Sequence, residues 1–230
     1  MIKAIKLNYK IIIICLLLIS YIIVLNFNFA KKTSIDSFKT PFILIDAGHG
    51  EPDGGAVGLT TKVKESDLNL EYAKTLKHYF ESMNFRVELV RSTESALKKD
   101  KQEDMLKRKE LIENSNCDIF ISIHMNKFSL PSSIGAQTFY KMDDDLSKNL
   151  ANCIQSLLIK NVENARKLTL SGDYLVLNSA KCPAVLVECG FLSNEKDEKR
   201  LQTKSFRENL CYQIFCGTVK FLSASDQDDW

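Results

Sequence analysis

The chain reads as an α/β protein, because short apolar runs alternate with segments of helical spacing and a glycine-rich loop follows the first run. The expectation is one three-layer domain: a mostly parallel, twisted sheet of about six strands with helices on both faces, preceded by an N-terminal apolar helix. With 230 residues, 45% hydrophobic, 26% charged, nine Gly and four Pro, there is enough material for one such domain. Disordered and collagen-like classes are excluded. A formal charge of +2 is too small to argue for a nucleic-acid partner.

Residues 1–30 carry Lys3, Lys6 and Lys10 without an acid, around the uncharged run IIIICLLLISYIIVL at 11–25. A basic leader followed by an apolar run is the pattern of a signal peptide or membrane anchor, and places the rest outside the membrane. Residues 31–40 form a polar linker, and 41–225 the folded domain. Pro41 opens FILI, which ends in Asp46-Ala47-Gly48-His49-Gly50, a strand running into a loop that holds four glycines between 50 and 58. Leu68, Tyr72, Leu76, Tyr79, Phe80 and Met83 then mark an amphipathic helix, with Ser66 or Asp67 as the N-cap.

Arg86–Val90 reads as a strand and Met105–Asn114 as a helix. Asp118–Ile123 is a buried strand stopping at His124, and Gly135–Tyr140 another strand candidate. Leu146, Leu150, Ile154 and Leu157 line a further helix; Tyr174–Leu177 and Ala184–Glu188 read as short strands; Phe206 to Phe221 closes the domain as a helix. The basic run 98–109 mixes both signs and reads as an exposed helix face, and Asp143-Asp144-Asp145 as a solvated helix entry rather than a calcium site. Seven cysteines contain no C-x-x-C pair and lie mostly in apolar runs, so they read as small core residues.

His49 and His124 each follow a buried strand, Glu188 ends another, and Glu65 stands at the entry of the first helix. Strand ends are where an open α/β sheet binds ligands. His49, Glu65 and His124 form a donor set suited to catalytic zinc, leaving a position for water, with Glu188 on its rigid strand as general base and acid. The spacing matches no compact metal motif, and a strand-end histidine can equally be structural. His78 lies mid-helix and reads as a surface residue.

The strings IDAGHGEPDGGAVG (45–58), KESDLNL (64–70), DIFISIHMN (118–126), GAQTFY (135–140) and AVLVECGFLSN (184–194) resemble those of the zinc-dependent N-acetylmuramoyl-L-alanine amidases, in order over about residues 42–222. Within that family the look is of the short sporulation and germination type that acts on spore cortex. The resemblance implies zinc bound by His49, Glu65 and His124, a catalytic Glu188, and peptidoglycan as substrate. Arg91 and Arg108 match mostly basic positions and read as structural or substrate-supporting. Three departures stand beside these residues: Ala47 for Pro, expected to loosen the turn; Met125 for a small residue, expected to crowd the metal pocket; and Cys189 for an aliphatic residue. Without a wall-binding repeat, an accessory protein that positions or activates the enzyme is a possible partner. The rival readings are a wall-binding protein on the same fold without turnover of its own, and another zinc hydrolase of peptidoglycan, a carboxypeptidase or deacetylase.

Overall fold

The computed structural model describes residues 12–14, 16–21 and 40–225. The chain divides into two units, Met1–Lys39 and Thr40–Trp230. In the first, residues 12–14 and 16–21 are helical and their apolar side chains, Ile12 and Leu17 among them, are exposed. Most of the expected leader (1–30) and linker (31–40) lies outside the described residues. Among the described residues no helix is long and apolar enough to cross a membrane.

The second unit carries six strands: β1 (Phe42–Ala47), β2 (Arg86–Leu89), β3 (Ile119–Asn126), β4 (Gln137–Lys141), β5 (Leu170–Gly172) and β6 (Ala184–Phe191), in the order β2-β1-β3-β6-β4-β5. All neighbours are parallel except β4 and β6, which pair antiparallel. Among its described residues six helices accompany them: α1 (Glu65–Ser82), α2 (Lys101–Asn114), α3 (Asp145–Asn161), α4 (Leu175–Ser179), α5 (Glu195–Leu201) and α6 (Lys204–Ser225), the last two after β6.

The period of two along each strand sends alternate side chains to opposite faces. Ile43, Ile45, Ile121, Ile123, Val185 and Val187 meet α1, α3 and α6 in the larger core. Leu44, Phe120, Ala184 and Leu186 meet Ile112 of α2 and Val176 and Leu177 of α4 in the smaller one. The expected three layers are present, with both faces of the central strands covered.

Two local expectations are corrected. Tyr174–Leu177 is not a strand: Tyr174 is the N-cap of α4, and the strand lies earlier, at Leu170–Gly172. Four apolar residues do not distinguish a strand from one helical turn. The cap of α1 is Lys64, without a side-chain hydrogen bond, rather than Ser66 or Asp67. Its first N–H groups are met by the glycine-rich loop instead: Glu65 N donates to Ala56 O (2.8 Å) and Ser66 N to Gly54 O (3.1 Å). The acidic run is a helix entry as expected, with Asp144 capping α3 by accepting from Ser147 N.

Helices α3 and α6 approach so closely at Gly217 that a Cβ there would lie 2.5 Å from Ile154 Cα. Alanine is the better helix former by about 1 kcal/mol, but backbone cannot yield as a side-chain tip does. Gly217→Ala is therefore expected to destabilise the domain by roughly 1–3 kcal/mol, read from the urea midpoint. A midpoint at or above wild type would show that the helices part freely.

Candidate metal centre

The site begins where β1 leaves the sheet. The carbonyls of Ala47, Gly48 and His49 accept hydrogen bonds from two buried arginines. Arg91 donates from Nε to Ala47 O (2.9 Å) and from a terminal nitrogen to Gly48 O (3.1 Å) and Ser66 O (2.7 Å). Arg108 donates to Ala47 O (2.9 Å) and His49 O, and pairs with Asp46 (2.6 Å) and Asp104 (2.7 Å). Ser122 Oγ donates to the other Asp46 oxygen (3.0 Å). Arg108 is thus a buried structural residue inside a run expected to be exposed, while Lys98, Lys99 and Lys101 around it are exposed.

Held this way, His49 adopts a left-handed conformation, φ 60°. A Cβ on Gly48 would lie 2.2 Å from His124 Nε2, so the glycine makes room for the second ring. The two imidazoles stand edge to face with centroids 5.1 Å apart. His124 on β3 and Glu188 on β6 are register partners, which puts their side chains on the same face of the sheet.

Glu65, the first residue of α1, reaches between the histidines. Its Oε1 lies 2.9 Å from His124 Nδ1 and its Oε2 3.4 Å from His49 Nε2. Ala56 N (2.8 Å), Met125 N (3.1 Å) and Asn69 Nδ2 (3.3 Å) donate to the same carboxylate. Gly55, at φ +67°, is required here: a Cβ would stand 2.6 Å from Glu65 Oε2. On the far side of the His49 ring, Nδ1 is 2.9 Å from Asp53 Oδ2, and Lys101 Nζ is 3.2 Å from the same oxygen.

Among the described residues, His49, Glu65 and His124 offer one donor atom each within 4.8 Å of one another, a group able to hold a metal ion. Ligand bonds of about 2.0–2.2 Å in a tetrahedral site imply ligand separations near about 3.4 Å, a spacing that His49 and Glu65 already have. Asp53 holds the second nitrogen of His49 in the way an outer partner holds a metal-ligating histidine. Neither Asp53 nor Asn69 was singled out from sequence, although Asp53 follows His49 by four residues and Asn69 follows Glu65 by one helical turn.

Glu188 faces the same cavity, which Met105, Tyr174 and Leu186 also line. One of its oxygens, Oε2, is buried with no hydrogen-bond partner. Burial pushes its pKa up to about 7, the nearby histidines moderating the rise and Glu65 adding to it. Glu65 goes the other way: burial disfavours its charge, but both histidines hold its carboxyl well below the usual range. Burial alone would lower His49, yet Glu65 and Asp53 raise it to about 9, and His124 is raised in the same manner by Glu65 and Glu188.

The three departures do not disturb the site. Met125 and Cys189 are buried in the larger core on the opposite face, and the Met125 N–H holds Glu65. Ala47 leaves no loose turn, because both guanidinium groups bind its carbonyl. His78 is exposed on α1.

The profile of a family described as N-acetylmuramoyl-L-alanine amidase matches residues 43–219. The germination-specific N-acetylmuramoyl-L-alanine amidase of Bacillus subtilis is 31% identical over 223 residues, 90% of this chain and 93% of that protein. The amidase LytC of the same organism is 29% identical over 181 residues, 78% of this chain but 35% of that longer protein. In three dimensions the chain is similar to the CwlD amidase of Clostridioides difficile, solved in complex with the GerS lipoprotein: TM-score 0.76, 37% identity, 80% of this chain and 99% of that one.

The raised histidine has a measurable consequence for stability. A His49 pKa of about 9 against 6.5 when unfolded means that its contribution is complete below pH 6.5 and is lost as pH rises through 9. With chelator present, stability is expected to fall by about 2–3 kcal/mol between pH 6.5 and 9, measured by urea unfolding. Glu65→Gln should flatten that slope, and an equally steep slope in the variant would remove Glu65 as its cause.

Proposed function

The chain belongs to the N-acetylmuramoyl-L-alanine amidase family, and on that premise we propose that residues 41–225 are its catalytic domain, with His49, Glu65 and His124 binding zinc and Glu188 carrying the proton. The reaction is hydrolysis of the amide between N-acetylmuramic acid and the L-alanine of the peptidoglycan stem peptide. A germination-specific relative covering nearly the whole chain supports a role in spore-cortex maturation or germination. The observation that carries the chemical reading is Glu188 Oε2, buried and unpartnered beside three convergent donors.

Bound at these donors, zinc supplies Lewis acidity toward the amide carbonyl and makes a water acidic enough to attack near neutral pH. The protein residues do the rest. Glu65 is kept ionised by its histidine partners and by the N–H groups of Ala56 and Met125, so it brings negative charge to the donor set. Asp53 fixes the His49 ring, leaving Nε2 toward Glu65. Glu188, with a pKa of about 7, takes the proton of the attacking water and returns it to the departing alanine nitrogen. An amide nitrogen leaves poorly as an anion, so this return is as necessary as the uptake.

Glu188→Gln is expected to keep its metal and lose about 10²–10⁴-fold in turnover, with elemental analysis and release of free stem peptide as the paired readouts. Near wild-type release would remove Glu188 from the proposed role. Asp53→Ala should weaken metal affinity about 10–100-fold, measured by competition with a chelating dye; unchanged affinity would leave Asp53 with no part in holding His49.

The relatives' cell-wall roles support action outside the cytoplasm, and the CwlD–GerS complex supports an accessory protein for this chain as well. Incubating the full chain and zinc with cortex and vegetative sacculi, followed by product mass analysis, tests the assignment. Free stem peptides with bare muramic acid identify an amidase. Loss of a terminal alanine or of an acetyl group points to another zinc hydrolase, and an intact polymer to a binding protein.

A further inference from the structure

Cys117 and Cys182 face each other with Sγ atoms 3.2 Å apart, although they are sixty-five positions apart in the chain. Neither was separated from the other cysteines by its sequence surroundings, and both are only half-buried, whereas Cys189 and Cys211 are fully enclosed. Cys117 lies two residues before β3 and Cys182 two residues before β6. Those strands are hydrogen-bonded neighbours from near their starts, Phe120 pairing with Ala184 and Phe120 N donating to Pro183 O (3.0 Å). On the Cys117 side, Ser115 Oγ accepts from Cys117 N (3.3 Å) and the Asp118 carboxylate accepts from Phe42 N (2.7 Å) on β1.

A disulfide needs Cα atoms within roughly 4.4–6.8 Å and side chains directed at each other. Both cysteines stand two residues before adjacent paired strands, and their sulfurs already point together. We propose that Cys117 and Cys182 are a disulfide-forming pair that clasps the starts of β3 and β6 once the chain meets an oxidising thiol–disulfide environment. The bond lies about 20 Å along the strands from His124 and Glu188, so it bears on the holding together of the two strands that carry them and not on the chemistry.

The oxidant is a disulfide, either of a small thiol or of a thiol–disulfide oxidoreductase. The Cys117 thiolate attacks one of its sulfurs, forming a mixed disulfide and expelling one thiolate. Cys182 then loses its proton and its sulfur attacks that of Cys117, closing the intramolecular bond and expelling the second thiolate. Two protein thiols are oxidised and one external disulfide is reduced to two thiols. Cys117 is suited to be the first nucleophile, because its side-chain hydrogen bond with Cys182 lowers its pKa. Joining residues so distant in sequence restricts the unfolded chain strongly, and a rise in the thermal midpoint of about 5–10 °C is expected.

The test equilibrates the full chain in oxidised glutathione, blocks remaining thiols by alkylation, and digests it without reduction for mass analysis. Expected are one linked peptide pair containing Cys117 and Cys182, two fewer alkylated thiols, and a midpoint that rises on oxidation and falls again with dithiothreitol. Cys182→Ser should leave Cys117 carrying glutathione and abolish the rise. The proposal is overturned if wild-type Cys117 and Cys182 remain alkylatable, if each retains glutathione without joining, or if either joins another cysteine instead. The wild-type measurement decides even where the variant folds poorly.

Discussion

Three consecutive carbonyls, those of Ala47, Gly48 and His49, stand where β1 leaves the sheet, Ala47 being its last residue, paired with Ile123 of β3. Burying them unmet would cost about 1–3 kcal/mol each, and Arg91 and Arg108 meet them all. The guanidinium groups carry five donors in a fixed fork, so the turn they bind is set in direction as well as satisfied. Arg108 also neutralises Asp46 and Asp104, which offsets its own desolvation; Arg91 binds carbonyls alone, and burial lowers its pKa. A lysine in either place would reach fewer of these acceptors. The left-handed backbone of His49, and with it the direction of the first imidazole, follows from this clamp.

Glu65 links that turn to the rest of the domain. The glycine-rich loop meets the first N–H groups of α1 with its carbonyls and then gives back the Ala56 N–H to the Glu65 carboxylate. The same loop residues therefore cap a helix and orient the Glu65 carboxylate. The pair of glutamates shows how environment assigns roles to one side chain. Glu65 sits among donors and is held ionised, while Glu188 is buried without a partner and titrates near neutrality. Carboxylates driven apart in this way are fitted for different tasks within one site.

Much of this was legible in the sequence because it depends on period and position. Apolar runs in parallel strands end where the sheet opens, so the sequence alone places His49, His124 and Glu188 at one rim. The fold class followed from the same alternation. What was hidden depends on contacts between distant segments. Arg108, marked by the resemblance alone as structural or substrate-supporting within a run expected to be exposed, is held in the interior by partners that include Asp46, sixty-two residues away. The cap of α1 was misplaced because the helix is capped by loop carbonyls, for which no side chain signals. The short strand β5 has the sequence Leu-Ser-Gly, with too few residues to show a period.

The departures beside the site residues show the limit of reading neighbours in sequence as neighbours in space. Along β3 and β6, successive side chains point to opposite faces. Met125 follows His124 and Cys189 follows Glu188, and for that reason both lie in the larger core, across the sheet from the cavity. Substitution at either position acts first on packing volume beneath α1 and α6. It touches the site only through the backbone, as Met125 does when its N–H binds Glu65. Gly48 and Gly55 constrain the site far more, since a Cβ on the first would meet the His124 ring and on the second the Glu65 carboxylate. The chemistry of this rim is thus protected by strand alternation from variation at the adjacent core positions, and exposed to it at the glycines.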